Sequence, residues 1–569
     1  MPEAIIKLNE VEFWVIESKR EKKDITKAIK EATIDYADKI NKSKKIKCVI
    51  ASGVAGNDTD GFTVINQYLH EGKWETILFN GKPKDTLLSK EQARHIIKNK
   101  TIDYNEFPDF PEEKYLSSAE NINRTLHKAG INRKNRARFI AGLVLSLATD
   151  EEIDLRVKNA ELLVKNINNL IEQKLEEVGK SDFYQFINLV VPPSRENHIK
   201  YQRAIVDTLH ELQTLDIKNA MSSGNDILGK FYEKFLKYGN DAKEIGIVLT
   251  PRHITKFAVD VLNIKYNDYV LDPCCGTAGF LVSAFDYVKR NSNKNQIDKF
   301  KNYNLFGIDQ DDEVLALALV NMIFRGDGRN NMRDGNCFQK NIIKKASSDK
   351  ETGEYTKRET KENVNPIITK VLMNPPFALK EGDEKERHFI DYALSQMEDE
   401  GILFSILPIS VLTESEGKNW RKEILKYNTL LSVVTFPADL FNPSASVGTL
   451  GIFLKKGVPH DFDNQKVYFA RAITDGFKMK KGKRIQDSNT KDLLSEIKEE
   501  LTAFLANQYI KFKDIPEFKK ITLLDKQDDN YELVPESYID SKIPSIIEIQ
   551  EGVDNLIKSC VCYIVKYKN

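Results

Sequence analysis

The stretch YVLDPCCGTAGF, residues 269–280, decides the fold. An apolar run ends at Asp272, Gly276 and Gly279 come next, and a second apolar run starts at Phe280. A strand that ends in a carboxylate, a glycine-rich turn and a helix form the repeating unit of a parallel α/β sheet. Such sheets bind ligands at the C-terminal edge of their strands. The glycines allow a tight turn and a close approach of the backbone to a ligand. The helix N-terminus behind them favours a carboxylate or phosphate. NLFGIDQDDEVLALAL (304–319) repeats the design, with a strand ending in Asp309 and then a helix. A carboxylate in that place accepts both hydroxyls of a ribose. These two features predict a nucleoside-type ligand in a wound sheet, with KVLMNPPF, GILFSILP and LLSVVTFP as further strands.

The third strand carries the chemistry. In VLMNPPFALK (371–380), Asn374 offers an amide oxygen, and Pro375-Pro376 fixes carbonyls without a competing N–H. Phe377 adds a ring face. An exocyclic aromatic amine is a poor nucleophile because its lone pair is delocalised into the ring. Two acceptors, the Asn374 side chain and the Pro375 carbonyl, suit its two protons and leave the lone pair free. The aromatic face suits a base taken out of its duplex. Catalysis of this kind is positioning more than acid–base work. A proline turn after a strand accounts for the prolines but not for the Asn and Phe in that order.

DPCCGTAGF followed by NPPF resembles the amino-methyltransferases that use S-adenosylmethionine to methylate adenine N6 in DNA. GIVLTPRHITKFAVDVL (246–262) looks like the family's N-terminal cofactor motif, an order similar to the γ class. The resemblance implies catalytic roles for Asn374, Pro375, Pro376 and Phe377. It implies cofactor contacts from Thr250, Asp272, Cys274, Gly276, Thr277, Gly279 and Asp309. Thr250 would lie near the methionine carboxylate and Asp309 at the ribose. In MRDGNCF (332–338) the adenine-ring contact falls on Asn336, with Asp334 beside it as the open alternative. FPADLFNPSASVGT (436–449) resembles the late motif whose aromatic, here Phe441, packs on the other side of the extruded base.

The wider chain extends the resemblance. The 41 per cent hydrophobic and 30 per cent charged residues are ordinary for a soluble protein, and 569 residues call for several domains. With 85 basic and 85 acidic residues there is no global pull on nucleic acid, so DNA contact requires local basic surfaces. The Lys-rich stretches 338–361 and 477–487 are phosphate-contact candidates. Six cysteines without a metal-ligand rhythm, no signal peptide and no membrane-length apolar run predict a cytoplasmic home and no membrane partner. The Gly224–Phe231 stretch has P-loop spacing but ends in Phe where Ser or Thr must hold Mg²⁺, so no ATP motor is expected. Residues 116–540, with the helical block LHKAGINRKNRARFIAGLVLSLAT (126–149) and the closing YELVPESYID (531–540), resemble the modification subunit of type I restriction systems. The protein-glutamine methyltransferases, which also use an NPP motif, are small and lack that block; they are the alternative.

At the front, VEFWVIESKR (11–20) forms a strand on which Glu17 and Lys19 share one face. A helix over DITKAIKEATIDYADKIN and a strand at KIKCVIASG come after it. With Pro2-Glu3 ahead of them, these elements resemble a PD-(D/E)xK nuclease core. The resemblance implies a metal pair, Glu3 and Glu17, holding Mg²⁺, with Lys19 steadying charge at the phosphate. Glu31 stands where the family has Gln, and Glu3 where it has Asp. The helix and strand that usually precede the site are absent, so the module is expected to be truncated. A decayed nuclease in a methylation-only subunit is the second alternative. At the other end, the gaps from Ile546 through Ile549, Val553, Leu556, Cys560 and Tyr563 to Tyr567 run 3, 4, 3, 4, 3, 4, a heptad seam.

The expected architecture is α/β and multidomain. It comprises a truncated nuclease-like domain (1–75), a linker (76–115), a helical domain (116–240) and a Rossmann-like class I methyltransferase (241–475). A C-terminal extension (476–540) and a heptad helix (541–569) complete it. A fused nuclease and methyltransferase without a motor resembles the type IIG and BcgI-like group. The 29 residues after Asp540 are too few to read a DNA sequence. The expected partners are therefore double-stranded DNA and a separate specificity subunit, in a hetero-oligomer.

Overall fold

The computed structural model describes residues 2–557 apart from 44–45, 58–60, 80, 85, 105–111, 133–134, 150, 152, 216, 218–230, 233–234, 236–248, 324–330, 340–366, 378–381, 383, 443–446, 481–482, 508–516, 540–545, 548, 551–552 and 555–556. The chain divides into two compact units, residues 1–398 with 441–446, and residues 399–440 with 447–569.

The first unit opens on a five-stranded sheet in the order β1-β2-β3-β4-β5. β1 (Ala4–Lys7) is antiparallel to β2 (Glu12–Lys19). α1 (Ile25–Lys30) continues through a π-helical stretch, Glu31–Ala37, and carries the chain across to β3 (Lys47–Asn57). β3 is parallel to β2, as a strand–helix–strand crossover requires. β4 (Gly61–His70) and β5 (Lys73–Thr76) return antiparallel. β3 runs past the expected KIKCVIASG strand to Asn57, because the β4 register continues to the Asn57–Gly61 pair. Gly53 is needed there, since a Cβ would lie 2.4 Å from the Ile29 backbone nitrogen.

The stretch 76–115 carries more structure than the linker expected of it. A small sheet, β6 (Leu78–Phe79), β7 (Lys82–Pro83) and β8 (Asp103–Tyr104), flanks α2 (Lys90–Asn99). Ser89 and Gln92 form a capping box at the start of α2. Ile77, Leu88, Ala93 and Ile96 bury against Leu8, Trp14, Ile50 and Tyr68 of the sheet, so the segment completes the N-terminal core.

Among the described residues, four longer helices come next: α3 (Glu112–Lys128), α4 (Arg136–Ser146), α5 (Ala160–Glu177) and α6 (His198–Thr214). Then come α7 (Arg252–Leu262), β9 (Val270–Asp272), α8 (Gly279–Asn291), α9 (Lys294–Tyr303), β10 (Leu305–Asp309), α10 (Asp312–Ile323), β11 (Asn331–Asp334), β12 (Ile368–Met373) and α11 (Glu386–Gln396). α4 is buried almost all round, because α5 packs on one side and α10 on another. The strands run parallel in the order β11-β10-β9-β12. They read as continuous apolar runs because helices cover both faces. The strands expected at Asp272, Asp309 and Asn374 are all present.

The second unit holds β13 (Met397–Pro408), α12 (Lys418–Tyr427), β14 (Thr429–Thr435), β15 (Thr449–Lys455), β16 (Val467–Arg471), the hairpin β17 (Phe477–Lys480) and β18 (Lys483–Gln486), α13 (Leu493–Leu505) and β19 (Lys519–Thr522). Its sheet order is β13-β15-β14-β16-β19. Arg421 is fully buried and donates to four carbonyls, those of Val411, Glu414, Asn530 and Tyr531, fastening the segment around 530. Of the heptad seam, Ile546, Ile549 and Val553 are described and exposed; Leu556, Cys560, Tyr563 and Tyr567 lie outside the described residues. Most of 338–361 and all of the P-loop-like stretch except Phe231 lie outside them too. No described helix is long and apolar enough to cross a membrane.

Candidate active site

Parallel strands end in phase, so the residues just beyond β9, β10, β11 and β12 gather along one edge. Asp272 closes β9 and is 2% exposed. Its Oδ1 accepts the Cys274 N–H at 3.3 Å. Burial pushes its carboxyl well above the usual carboxylate range, and the neighbouring Asp309 adds to the rise. Asp309 closes β10, and both its oxygens are taken up by backbone: Oδ2 accepts from Gly276 N at 2.8 Å and Oδ1 from Asp311 N at 3.0 Å. Burial raises its pKa while those two N–H groups pull it down. Each oxygen keeps a lone pair for a further donor.

The glycine-rich turn differs in detail from the expectation. Gly276 has φ +53°, and a Cβ there would project into open space. The second left-handed residue is Ala278, at φ +62°, not Gly279. Gly279 instead starts α8, where its carbonyl accepts from Arg252 Nη1 at 3.1 Å. An alanine in that region is mildly strained, and such strain persists only where surroundings enforce it. Asn321 on α10, fully buried, supplies one constraint by donating from Nδ2 to the Thr277 carbonyl at 3.0 Å. Thr277 is itself buried and Cys274 partly exposed. Asn321 had no signal in the sequence, since a lone Asn in an apolar helix belongs to no motif.

Between the adenine-contact alternatives, Asp334 is exposed on β11, whereas Asn336 is partly buried and its Oδ1 accepts from Phe338 N at 2.9 Å. Gly335 N donates to the Asp309 carbonyl at 2.8 Å, which brings this turn against the β10 edge.

Asn374, Pro375, Pro376 and Phe377 leave β12 in the expected order, with Pro375 buried, Pro376 exposed and the other two partly buried. Asn374 Nδ2 donates to Thr250 Oγ1 at 3.1 Å, across 124 residues of chain. Phe377 and Phe441 meet with ring centroids 5.8 Å apart and planes at 84°. The two rings, expected on either side of an extruded base, meet each other edge to face, an arrangement that ring quadrupoles favour.

The residues fit a nucleoside-bearing cofactor. The Asp309 carboxylate is preset by backbone N–H groups, and the space in front of Gly276 in the same turn is open.

The second expected site is arranged differently. Glu17, on β2, is 7% exposed, and Lys19 Nζ lies 2.6 Å from its Oε1 and 2.7 Å from Glu31 Oε2. The two carboxylates raise the Lys19 pKa above its ordinary value, the Glu17 hydrogen bond most. Glu17 Oε2 is buried with no hydrogen-bond partner among the described residues. Glu3 is exposed and its Oε2 lies 3.3 Å from Ser18 Oγ. Glu3 thus accepts from the strand neighbour of Glu17, while Lys19 holds Glu17 Oε1. Among the described residues, no group of three His, Cys, Asp or Glu side chains is placed to hold a metal ion. The residues as arranged do not fit Mg²⁺, because the Lys19 ammonium stands between the buried Glu17 carboxylate and the half-buried Glu31 carboxylate.

The family described as N-6 DNA Methylase matches residues 223–545, more than half of the chain. The "Type II restriction enzyme and methyltransferase RM.BcgI" of Heyndrickxia coagulans is 35% identical over 266 residues, covering 45% of this chain and 38% of the relative. The "Type I restriction enzyme EcoEI methylase subunit" of Escherichia coli is 27% identical over 279 residues, covering 46% of this chain and 53% of the relative. The chain thus spans about half or less of the length of these curated relatives. A solved structure described under "complex assembly and conformational transition of the type I R-M system" superposes with a TM-score of 0.54 at 17% identity. It covers 81% of this chain and 98% of its own, a likeness of fold. A modification subunit of a putative type I restriction enzyme from Vibrio vulnificus YJ016 superposes with a TM-score of 0.50 at 15% identity, covering 78% of this chain and 100% of its own. Strand order, glycine-rich turn, NPPF segment and family match agree: the chain belongs to the N-6 DNA methylase family.

Proposed function

We propose that this chain methylates the exocyclic N6 of adenine in duplex DNA, as the modification component of a restriction-modification system. The observation that carries the reading is the Asp309 carboxylate, held by Gly276 and Asp311 N–H groups, on the same strand edge from which Asn374-Pro375-Pro376-Phe377 departs. Thr250, Asp272, Cys274, Gly276, Thr277, Gly279, Asp309 and Asn336 would hold S-adenosylmethionine. That group supplies, when bound, a methyl carbon made electrophilic by its sulfonium. The chain's own work is placement. Asn374 Oδ1 and the Pro375 carbonyl accept the two N6 protons, so the nitrogen lone pair stands out of the ring plane. Phe377 and Phe441 shelter the extruded base from water. The departing proton leaves along one of those two acceptors to solvent. Nothing in this scheme needs a strong base.

The helical block, the family match and the type I and BcgI-like relatives favour DNA over a protein glutamine as substrate. They also support a separate specificity subunit as partner, with the exposed Ile546, Ile549 and Val553 as its handle, in a cytoplasmic hetero-oligomer. The test incubates the chain and that subunit with DNA and labelled S-adenosylmethionine, then digests to nucleosides. N6-methyl-2′-deoxyadenosine is expected; label in protein alone overturns the reading.

A nuclease role for the N-terminal domain is the second reading. It is favoured by the crossover around Glu17 and Lys19 and by the unpartnered buried Glu17 Oε2. An Mg²⁺ ion at Glu17 requires Lys19 to release its ion pairs. Adding Mg²⁺ to the same assay decides: cutting that Glu17→Ala abolishes supports a nuclease, and methylation without cutting leaves a modification-only subunit.

A further inference from the structure

Thr250 lies two residues ahead of α7, and the contacts of that helix hold it against the glycine-rich turn. Pro251 caps the helix, its carbonyl accepting from Ile254 N at 3.0 Å. Thr255 Oγ1 and Ser283 Oγ, both buried, share a hydrogen bond of 2.7 Å between α7 and α8. Arg252 donates to the Gly279 carbonyl at 3.1 Å. With α7 fixed in this way, the Thr250 hydroxyl meets the Asn374 amide at 3.1 Å.

We propose that Thr250 is a positioning residue for Asn374: its hydroxyl sets which end of the amide faces the target amine. The inference rests on the methyltransfer reading and deepens it. A carboxamide has a donor end and an acceptor end of nearly equal shape. With Nδ2 tied to Thr250 Oγ1, Oδ1 is turned the other way, toward the amine. A reversed amide would set N–H against N–H, and no proton of the amine would be held. The threonine oxygen accepts from Asn374 and still has its own proton to give. A carboxylate is the strongest taker of that proton, and the methyltransfer reading puts the methionine carboxylate of the cofactor beside Thr250. Thr250 then links cofactor occupancy to the polarity of the amide, so that the acceptor is presented when the methyl donor is in place.

The experiment uses the chain purified from its own host with the subunits that accompany it. Wild type, Thr250→Val, Thr250→Ala, Thr250→Ser, Asn374→Ala and Thr250→Val/Asn374→Ala are compared. Two quantities are read: S-adenosylmethionine affinity by calorimetry, and single-turnover methyl transfer to unmethylated genomic DNA at saturating cofactor. Both hydroxyl-free variants should transfer roughly ten- to hundredfold more slowly even at saturation, the scale of one hydrogen bond that orients a buried group. Thr250→Ser should return close to the wild-type rate, and Thr250→Val should add nothing in the Asn374→Ala background. The proposal is overturned if the hydroxyl-free variants lose affinity alone and regain the full rate at saturation, if Ser fails to rescue, or if the two losses add. An inactive wild type, or a fully active Asn374→Ala, would instead overturn the methyltransfer reading itself.

Discussion

Two clusters of charged and polar side chains sit on strands of the same unit and are built on opposite principles. At the β9–β12 edge, the Asp309 carboxylate is held by backbone N–H groups that carry no charge of their own, and each oxygen keeps capacity for a ligand. Beside β2, the Lys19 ammonium pairs with both Glu17 and Glu31, so much of the charge is met inside the cluster. Backbone dipoles preorganise a site without filling it; a side-chain cation fills the site it organises. The first arrangement is that of a binding edge, the second that of a closed ion-pair cluster.

The largest test of this contrast is Asn374→Ala, which should lower methyl incorporation roughly 10²- to 10³-fold, as loss of one preorganised polar group does elsewhere. Glu17→Ala should leave incorporation untouched; an equal loss would break the contrast. Next, Asp309→Ala should weaken cofactor binding by about 1.5–3 kcal/mol, the range for hydrogen bonds to a charged group, seen by calorimetry with circular dichroism unchanged. Gly276→Ala comes third. Its left-handed φ costs a side chain about 1–2 kcal/mol. The added methyl also projects into open space at the glycine-rich turn whose Gly276 N–H holds Asp309, so a fall in cofactor affinity larger than the fall in melting temperature is expected.

The smallest effect sharpens the other side. Lys19→Met should reduce the stability of the N-terminal domain by about 1 kcal/mol, given that the ammonium is partly solvated. The sign with pH comes from the raised Lys19 value. The ion pairs stabilise fully below the ordinary lysine value of 10.5 and are lost as pH climbs toward the higher folded value. Melting of the wild type should therefore fall more steeply than that of the variant as pH is raised through 10.5, by calorimetry.

The parallel sheet was legible because its strands announce themselves twice: apolar runs of the right length, and a chemically distinctive residue where each ends. Asp272, Asp309 and Asn374 all emerge at strand ends for that reason. The segment 76–115 was not legible. Its core residues, Ile77, Leu88, Ala93 and Ile96, are scattered among polar neighbours, and only the apolar side of the β1–β5 sheet shows what they cover. Nor could the sequence distinguish Gly276 and Ala278 from Gly276 and Gly279 as the left-handed pair. That choice depends on Arg252 and Asn321 gripping the loop carbonyls from two separate helices.

By itself, then, the sequence determined the class of sheet, the order of its chemical residues along one edge and the family they spell. These properties arise from periodicity and from short runs of adjacent residues. Tertiary structure alone decided which polar groups meet: Thr250 with Asn374 across 124 positions, Gly276 with Asp309, and Lys19 with Glu31. Hydrogen bonds and ion pairs act over about 3 Å, and no rule of spacing along the chain reports a separation that small between residues that distant.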